Sequence, residues 1–508
     1  MVTPRRRLLA LGLVGLVLVS VVPLGAAALP DEHTSTVDSC RTIDEPGTYR
    51  LTSDLETDAQ TCLTVTASDV TLDGNGHAID TAEPPRPASF DLITGTGVDV
   101  DSDRTLANVT VRNVTGHGWG TLVSMTNVTH GAVVAVATPR PDAATHVGYG
   151  VTLDGVRDVT LRGSDIEATT LGAPIRIAES RDVAVRNTTV AHVDYRSIVG
   201  HAKGVTVRNT TDVTFANDTF ADLSAFTSRG VHLHDSVADA RLVNNTVTNG
   251  AVRSDATNAT VVDNAVADGG LTVYGDDARV ANNTVVGGAL TVGGDGATVT
   301  ANHLRDGSRL VVENDAPDGP GRAAVVENTF TDGSEVAVAA SNVLVRENTI
   351  TGASDDVPGV TVRSGRNVTV AHNAITDSQT AVRLHSSATV TANALTNDSV
   401  GVRVAADTGV CGEPARVALH RNDLSNDTDY GVENDAATTV NATRNDWGGA
   451  PSSPDDPDAP LSDPVTGELA DGNGSTVSEG ANAGVSNVRF DPWLDAPANA
   501  TAAGNATA

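Results

Sequence analysis

Lysine is almost absent: Lys203 is the only one in 508 residues. Aromatic side chains make up 3% of the chain, cysteine occurs three times, and methionine twice counting the initiator. Without clustered positive charge the chain cannot neutralise a phosphate backbone, so nucleic acid is not an expected partner. A core this poor in aromatics must be filled by small branched side chains, chiefly Val, Ala, Thr and Ile, which suits stacked strands better than helix bundles. Past the run from Leu8 to Val22 no apolar stretch reaches spanning length, so no membrane span is expected in the mature chain.

What is abundant is aspartate, with 50 Asp against 14 Glu and a formal charge of −31. Repulsion on that scale opposes compaction at low ionic strength. At 1 M salt the Debye length shrinks to about 3 Å and the repulsion is screened. Lysine depletion with aspartate excess therefore reads as adaptation to a salt-rich habitat.

Residues 1–28 have the layout of an export signal: Arg5, Arg6 and Arg7, the apolar run, then Ala26, Ala27 and Ala28 as a cleavage site. Arg5 and Arg6 followed by Arg7, Leu8 and Leu9 also fit a twin-arginine signal. In an exported chain Cys40 and Cys62 are expected to pair and close the first coil, leaving Cys411 as a small buried residue.

One pattern recurs from about residue 109: alternating β-branched residues, then Asn, any residue and an apolar residue. It reads Val243-Asn244-Asn245-Thr246-Val247 and Ala281-Asn282-Asn283-Thr284-Val285 in two units. From Asn245 the slot continues through Asn264, Asn283, Asn302, Asn328, Asn348, Asn373, Asn393, Asn422 and Asn445, at spacings of 19, 19, 19, 26, 20, 25, 20, 29 and 23. Ser164, Thr188 and Asp218 occupy it earlier. Such a period, made of short strands, implies an all-β solenoid whose coils each hold three short strands joined by tight turns. Stacked at ~4.8 Å, about fourteen coils would lie between Val109 and Asn445. The asparagines are expected to take left-handed backbone at a bend and to bond amide to amide between coils, which makes them structural.

Three stretches resemble the right-handed parallel β-helix family of pectate lyases, polygalacturonases and NosD-like proteins. They are Asp69-Val70-Thr71-Leu72-Asp73-Gly74-Asn75-Gly76-His77, the repeats, and Asn445-Asp446-Trp447-Gly448-Gly449-Ala450-Pro451. The chain is most similar to the NosD-like, pectin-lyase-like proteins exported by haloarchaea. After the signal at 1–28 the resemblance implies an N-terminal cap at 29–68, the single-stranded right-handed parallel β-helix at 69–445 and a C-terminal cap at 446–495 around Trp447 and Trp493; the tail at 496–508, rich in Ala, Asn and Thr, is expected to be disordered.

Within that family lyases, hydrolases and non-catalytic binders share the fold, so function must come from a site. Gly116-His117-Gly118 matches a polygalacturonase tripeptide, although the flanking Asn-Thr-Asp and Arg-Ile-Lys motifs are missing. His232-Leu233-His234-Asp235 is the densest ionisable cluster; on a strand both imidazoles share one face. Its residues align with Val382-Arg383-Leu384-His385 and Val402-Arg403-Val404-Ala405, outward positions of the same coil strand. A lyase would need a base such as Arg196, Lys203, Arg229 or Arg253 near Asp194, Asp222 or Asp235, and no motif selects among them. Trp119, Tyr149 and Tyr195 are aromatics that could pack on sugar rings. No cofactor is implied, though weak structural calcium suits so many carboxylates. NosD itself is associated with maturation of a copper enzyme; copper favours soft ligands, which are scarce here. Sixteen Asn-x-Ser/Thr sequons could carry glycans in an exported protein. The expectation is a monomeric, exported cell-surface or extracellular protein that binds polysaccharide or glycans, with a polysaccharide lyase or glycoside hydrolase as the alternative.

Overall fold

The computed structural model describes residues 34–82, 95–138, 149–167, 173–191, 204–223, 230–313, 322–352, 357–406, 409–410, 413–414, 416–454, 459–470 and 472–497. They contain short strands and no helix. The export signal, Cys411, the basic candidates Arg196, Lys203 and Arg229, and Asp194, Tyr195 and the 498–508 tail lie outside the described residues.

One coil shows how the sequence builds the stack. Val231–Leu233 enters the second of three parallel sheets, Arg241–Val243 the first, Thr246–Thr248 the third, and Ala251–Ser254 returns to the second one coil on. Side chains alternate along each strand. Val231 and Leu233 point into the core while His232 points out, and the same in-out-in order recurs at Val252, Arg253 and Ser254. Valine fills most inward positions, and the larger Phe215, Phe220 and Phe330 are fully buried among them. The fold is a right-handed parallel β-helix. Fourteen strands of the second sheet lie from Thr121–Thr126 to Tyr430–Asn434, the expected number.

The coils begin earlier than the cap boundary implied. Thr34–Val37, Gly47–Leu51 and Val70–Asp73 already pair in parallel in the first sheet. Arg41–Ile43 and Thr61–Val65 start the second, with Cys40 bonded to Cys62 across them. At the far end Trp447 is fully buried, and Asp446 pairs with Leu494 beyond the last repeat.

The asparagine slot is a continuous buried ladder at the corner between the first and third sheets. Asn264 Nδ2 donates to Asn283 Oδ1 at 2.9 Å, and Asn283 Nδ2 to Asn302 Oδ1 at 2.9 Å. Each amide also donates to a carbonyl of the preceding coil, as Asn283 does to Val261 O at 3.0 Å. Ser164, Thr188 and Asp218 do hold the earlier places: Asp218 Oδ1 accepts from Thr188 N, and Asn245 Oδ1 from Asp218 N. One expectation is corrected. The left-handed residue is the one before each ladder asparagine, as at Asn244, Asn282, Ala301, His372 and Ala392. The bend turns on that residue, which leaves the next side chain directed inward to its neighbours in the stack.

Candidate functional site

The second sheet carries two outward rows, and most of the chemistry gathers where they pass residues 205–313. In the first row Thr206, His232, Arg253 and Thr272 stand on successive strands. The second row, two residues further along each strand, holds Arg208, His234, Asp255 and Tyr274. Backbone bonds such as Asp255 N to Leu233 O and Tyr274 N to Ser254 O fix that register.

His232 and Asp255 form the centre. His232 Nε2 lies 3.0 Å from Asp255 Oδ2, and their side chains are 12% and 16% exposed. Arg253 Nε lies 2.8 Å from the same carboxylate. Burial would raise the Asp255 carboxyl, yet the hydrogen bonds and positive charges of Arg253 and His232 outweigh it and hold it below the usual carboxylate range. An ionised Asp255 therefore accepts a hydrogen bond from His232 Nε2–H. Arg253 also places its guanidinium 4.5 Å from the centre of the Tyr274 ring, a cation–π contact, and the Tyr274 hydroxyl bonds to Glu313. His234 packs its ring 3.7 Å from that of His232, and its Nε2 accepts from Arg208 Nε at 3.1 Å.

The sequence candidates divide on this geometry. His232 and His234 do share a face. Asp235 does not join them; it is exposed beyond the strand end, and Asp255 from the next coil takes the carboxylate role. Arg253 belongs to the cluster, whereas Asp222 sits at a remote corner bonded to Asn249. His117 is also elsewhere, with Nδ1 2.9 Å from Asp80 Oδ1 near the start of the stack. Trp119 is no platform for sugars: it is 6% exposed and its indole N–H donates to Ile79 O at 2.8 Å. The side chain of Tyr149 lies outside the described residues.

Among solved structures the chain is similar to a tailspike protein mutant of the E. coli bacteriophage HK620 in complex with a pentasaccharide, at 13% identity. That match covers 77% of this chain and 72% of the tailspike, with a TM-score of 0.45. It is also similar to DFA-IIIase from Arthrobacter chlorophenolicus A6 in complex with GF2, at 14% identity over 63% of this chain and 82% of the enzyme, with a TM-score of 0.38. No curated protein matches the sequence.

The profile of one family, described as periplasmic copper-binding protein (NosD), matches residues 125–316 and 276–448. Copper would need a set of donors, and the described residues do not supply one. No three His, Cys, Asp or Glu side chains come together to hold an ion among them. The paired imidazoles have both Nε2 atoms engaged, Cys40 and Cys62 are joined to each other, and Met125 is buried in the core. Since the matched stretches run through well over half of the sequence, this chain belongs to the NosD family.

Proposed function

We propose that the protein is exported to the surface of a salt-adapted cell and binds polysaccharide along the outward face of its second sheet, without cleaving it. The observation that carries this reading is the His232, Arg253, Asp255, Tyr274 group. It gathers an imidazole, a guanidinium, a carboxylate and a phenol ring on one flat, regularly spaced face. Such groups recognise sugar hydroxyls, and the face repeats at ~4.8 Å along the helix axis, so an extended chain can lie along it.

The alternative of a glycoside hydrolase or polysaccharide lyase draws on the His232–Asp255 pair, since a carboxylate that orients an imidazole is a common general-base arrangement. Spacing weighs against hydrolysis. Within residues 205–313 the second row holds two carboxylates, Asp255 and Glu313, which are three strands apart, or about 14 Å at the backbone. Glycosidic cleavage uses carboxyl groups roughly 5–9.5 Å apart.

Purified mature protein in molar salt, screened against uronate-containing and neutral polysaccharides with and without calcium, should be retained on a glycan and release nothing. His232→Ala and Asp255→Asn should each weaken retention about tenfold or more. Reducing ends or unsaturated products that vanish in His232→Ala would establish the enzyme instead.

The charge of −31 carries a further expectation. Lowering salt from molar to tenths of molar should depress the melting temperature by several degrees as screening is withdrawn. A melting temperature constant across that range would remove the argument for a salt-rich habitat.

A further inference from the structure

We infer that a second carbohydrate site, specific for a neutral sugar unit, lies at the C-terminal end of the same face. The strand Tyr430–Asn434 is the last of the second sheet, and there the chain that closes the stack comes alongside: Val432 pairs with Val477, and Gly431 N donates to Thr476 O at 2.9 Å. Between this closing segment and the strands Thr380–Leu384 and Val400–Val404 a pocket of about 510 Å³ opens. Its volume is in the range of small-ligand sites, about 300–1,000 Å³.

The chemistry of its walls selects the ligand. Ser399 and Thr428 bring hydroxyls, Tyr430 brings a half-buried ring, and Arg403 and Glu433 bring a charged donor and acceptor side by side. Alternating donors and acceptors of this kind match vicinal sugar hydroxyls, and an aromatic ring beside them offers a surface for the apolar face of a sugar.

Charge decides against an acidic sugar. Arg403 is already compensated, with Nε 3.3 Å from Glu433 Oε2 and Nη2 3.0 Å from Asp435 Oδ2. Asp429 adds another carboxylate to the lining. Arg383 on the neighbouring strand also acts on Glu433, so two guanidiniums stand against the carboxylates of Asp429, Glu433 and Asp435. A uronate entering here would meet a net negative charge, which costs binding energy, whereas a neutral hexose would not.

This pocket is nine strands beyond His232, about 40 Å along the axis, so the two sites can fail independently. The test is titration of the full mature protein in molar salt with neutral tetrasaccharides of glucose, mannose and galactose, and with tetragalacturonate, followed by calorimetry. At least one neutral tetrasaccharide should bind and tetragalacturonate should bind at least tenfold more weakly. Glu433→Gln and Thr428→Val should each reduce the neutral binding about tenfold with unchanged circular dichroism, and should do so equally in a His232→Ala background, where the central face no longer contributes. Absence of neutral binding, equal binding of tetragalacturonate, or binding that survives both pocket variants would overturn the assignment. Binding lost only in His232→Ala would assign the sugar to the central face and overturn the pocket alone.

Discussion

Replacing Asn328 with alanine should destabilise the coil stack by roughly 3–5 kcal/mol, because buried groups left unpaired cost about 1–3 kcal/mol each. Asn328 is 1% exposed and satisfies its neighbours in both directions. Its Nδ2 donates to Val299 O at 3.0 Å, Val326 O at 3.1 Å and Asn348 Oδ1 at 3.0 Å. Its Oδ1 accepts both the backbone N–H and the side-chain amide of Asn302, each at 2.9 Å. Alanine removes all five bonds and leaves the buried backbone N–H of Asn302 without its acceptor, while Asn302 Nδ2 keeps only Val280 O and Thr300 O, each at 3.1 Å. Coils contact only their nearest neighbours, so the damage should be local. Hydrogen exchange should accelerate around Asn302 and Asn348 and stay unchanged near Cys40. Thermal or denaturant unfolding in molar salt measures the loss, and a change below about 1 kcal/mol would show that the ladder is not what holds the corner.

The ladder was legible before any coordinates because its period survives insertions of up to ten residues per coil. Even the substitutions at Ser164, Thr188 and Asp218 keep an acceptor in the slot. What the pattern hid was which residue of the pair makes the bend. Asn-Asn at 244–245 and 282–283 offers two residues equally able to adopt left-handed backbone. Ala301 and Ala392 show that the coil imposes that conformation on whatever stands before the ladder residue. Tertiary stacking outweighs a local cost of about 1–2 kcal/mol.

The central cluster was half legible. Alternation along one strand was enough to put His232 and His234 on one face. Their true carboxylate partner needed the register between coils, and loop insertions of unequal length conceal it. Val231-His232-Leu233-His234 set against Val252-Arg253-Ser254-Asp255 does contain the signal, since it places Arg253 beside His232 and Asp255 beside His234. Asp235, adjacent in sequence, looked nearer but leaves the sheet plane one residue too late.

Stability should fall as pH rises from about 4 to about 7, and Asp218→Asn should cancel part of that fall. Asp218 occupies a ladder place with a carboxyl where every later coil has an amide. Its Oδ1 accepts from Thr188 N at 2.8 Å, while Oδ2 is buried without a partner. Burial pushes its pKa up to about 7 against the pull of the Thr188 and Ala216 backbone bonds. Asp398 and Asp427 repeat the arrangement at another corner, where Asp398 Oδ1 accepts from Ser378 N at 2.7 Å and Asp427 Oδ1 from Asp398 N at 3.2 Å. Burial raises both, and the charge of Asp398 raises Asp427 further. The sign follows from which state keeps the proton. Below about pH 4 the carboxyl is protonated in folded and unfolded chains alike, and it costs nothing. Above that the unfolded chain ionises first, so the folded state loses ground until the pH passes its own raised value. For Asp218 the loss reaches up to about 4 kcal/mol at one pKa unit per 1.36 kcal/mol. An asparagine there donates from Nδ2 whatever the pH, as its successors do. Calorimetry at pH 5 and pH 8 in molar salt should show wild type melting lower at pH 8. Asp218→Asn should narrow the gap, and the further changes Asp398→Asn and Asp427→Asn should narrow it more. Asp235→Asn, an exposed control, should leave it alone. A gap that persists undiminished in the triple variant would mean that these carboxyls are already ionised in the folded coil.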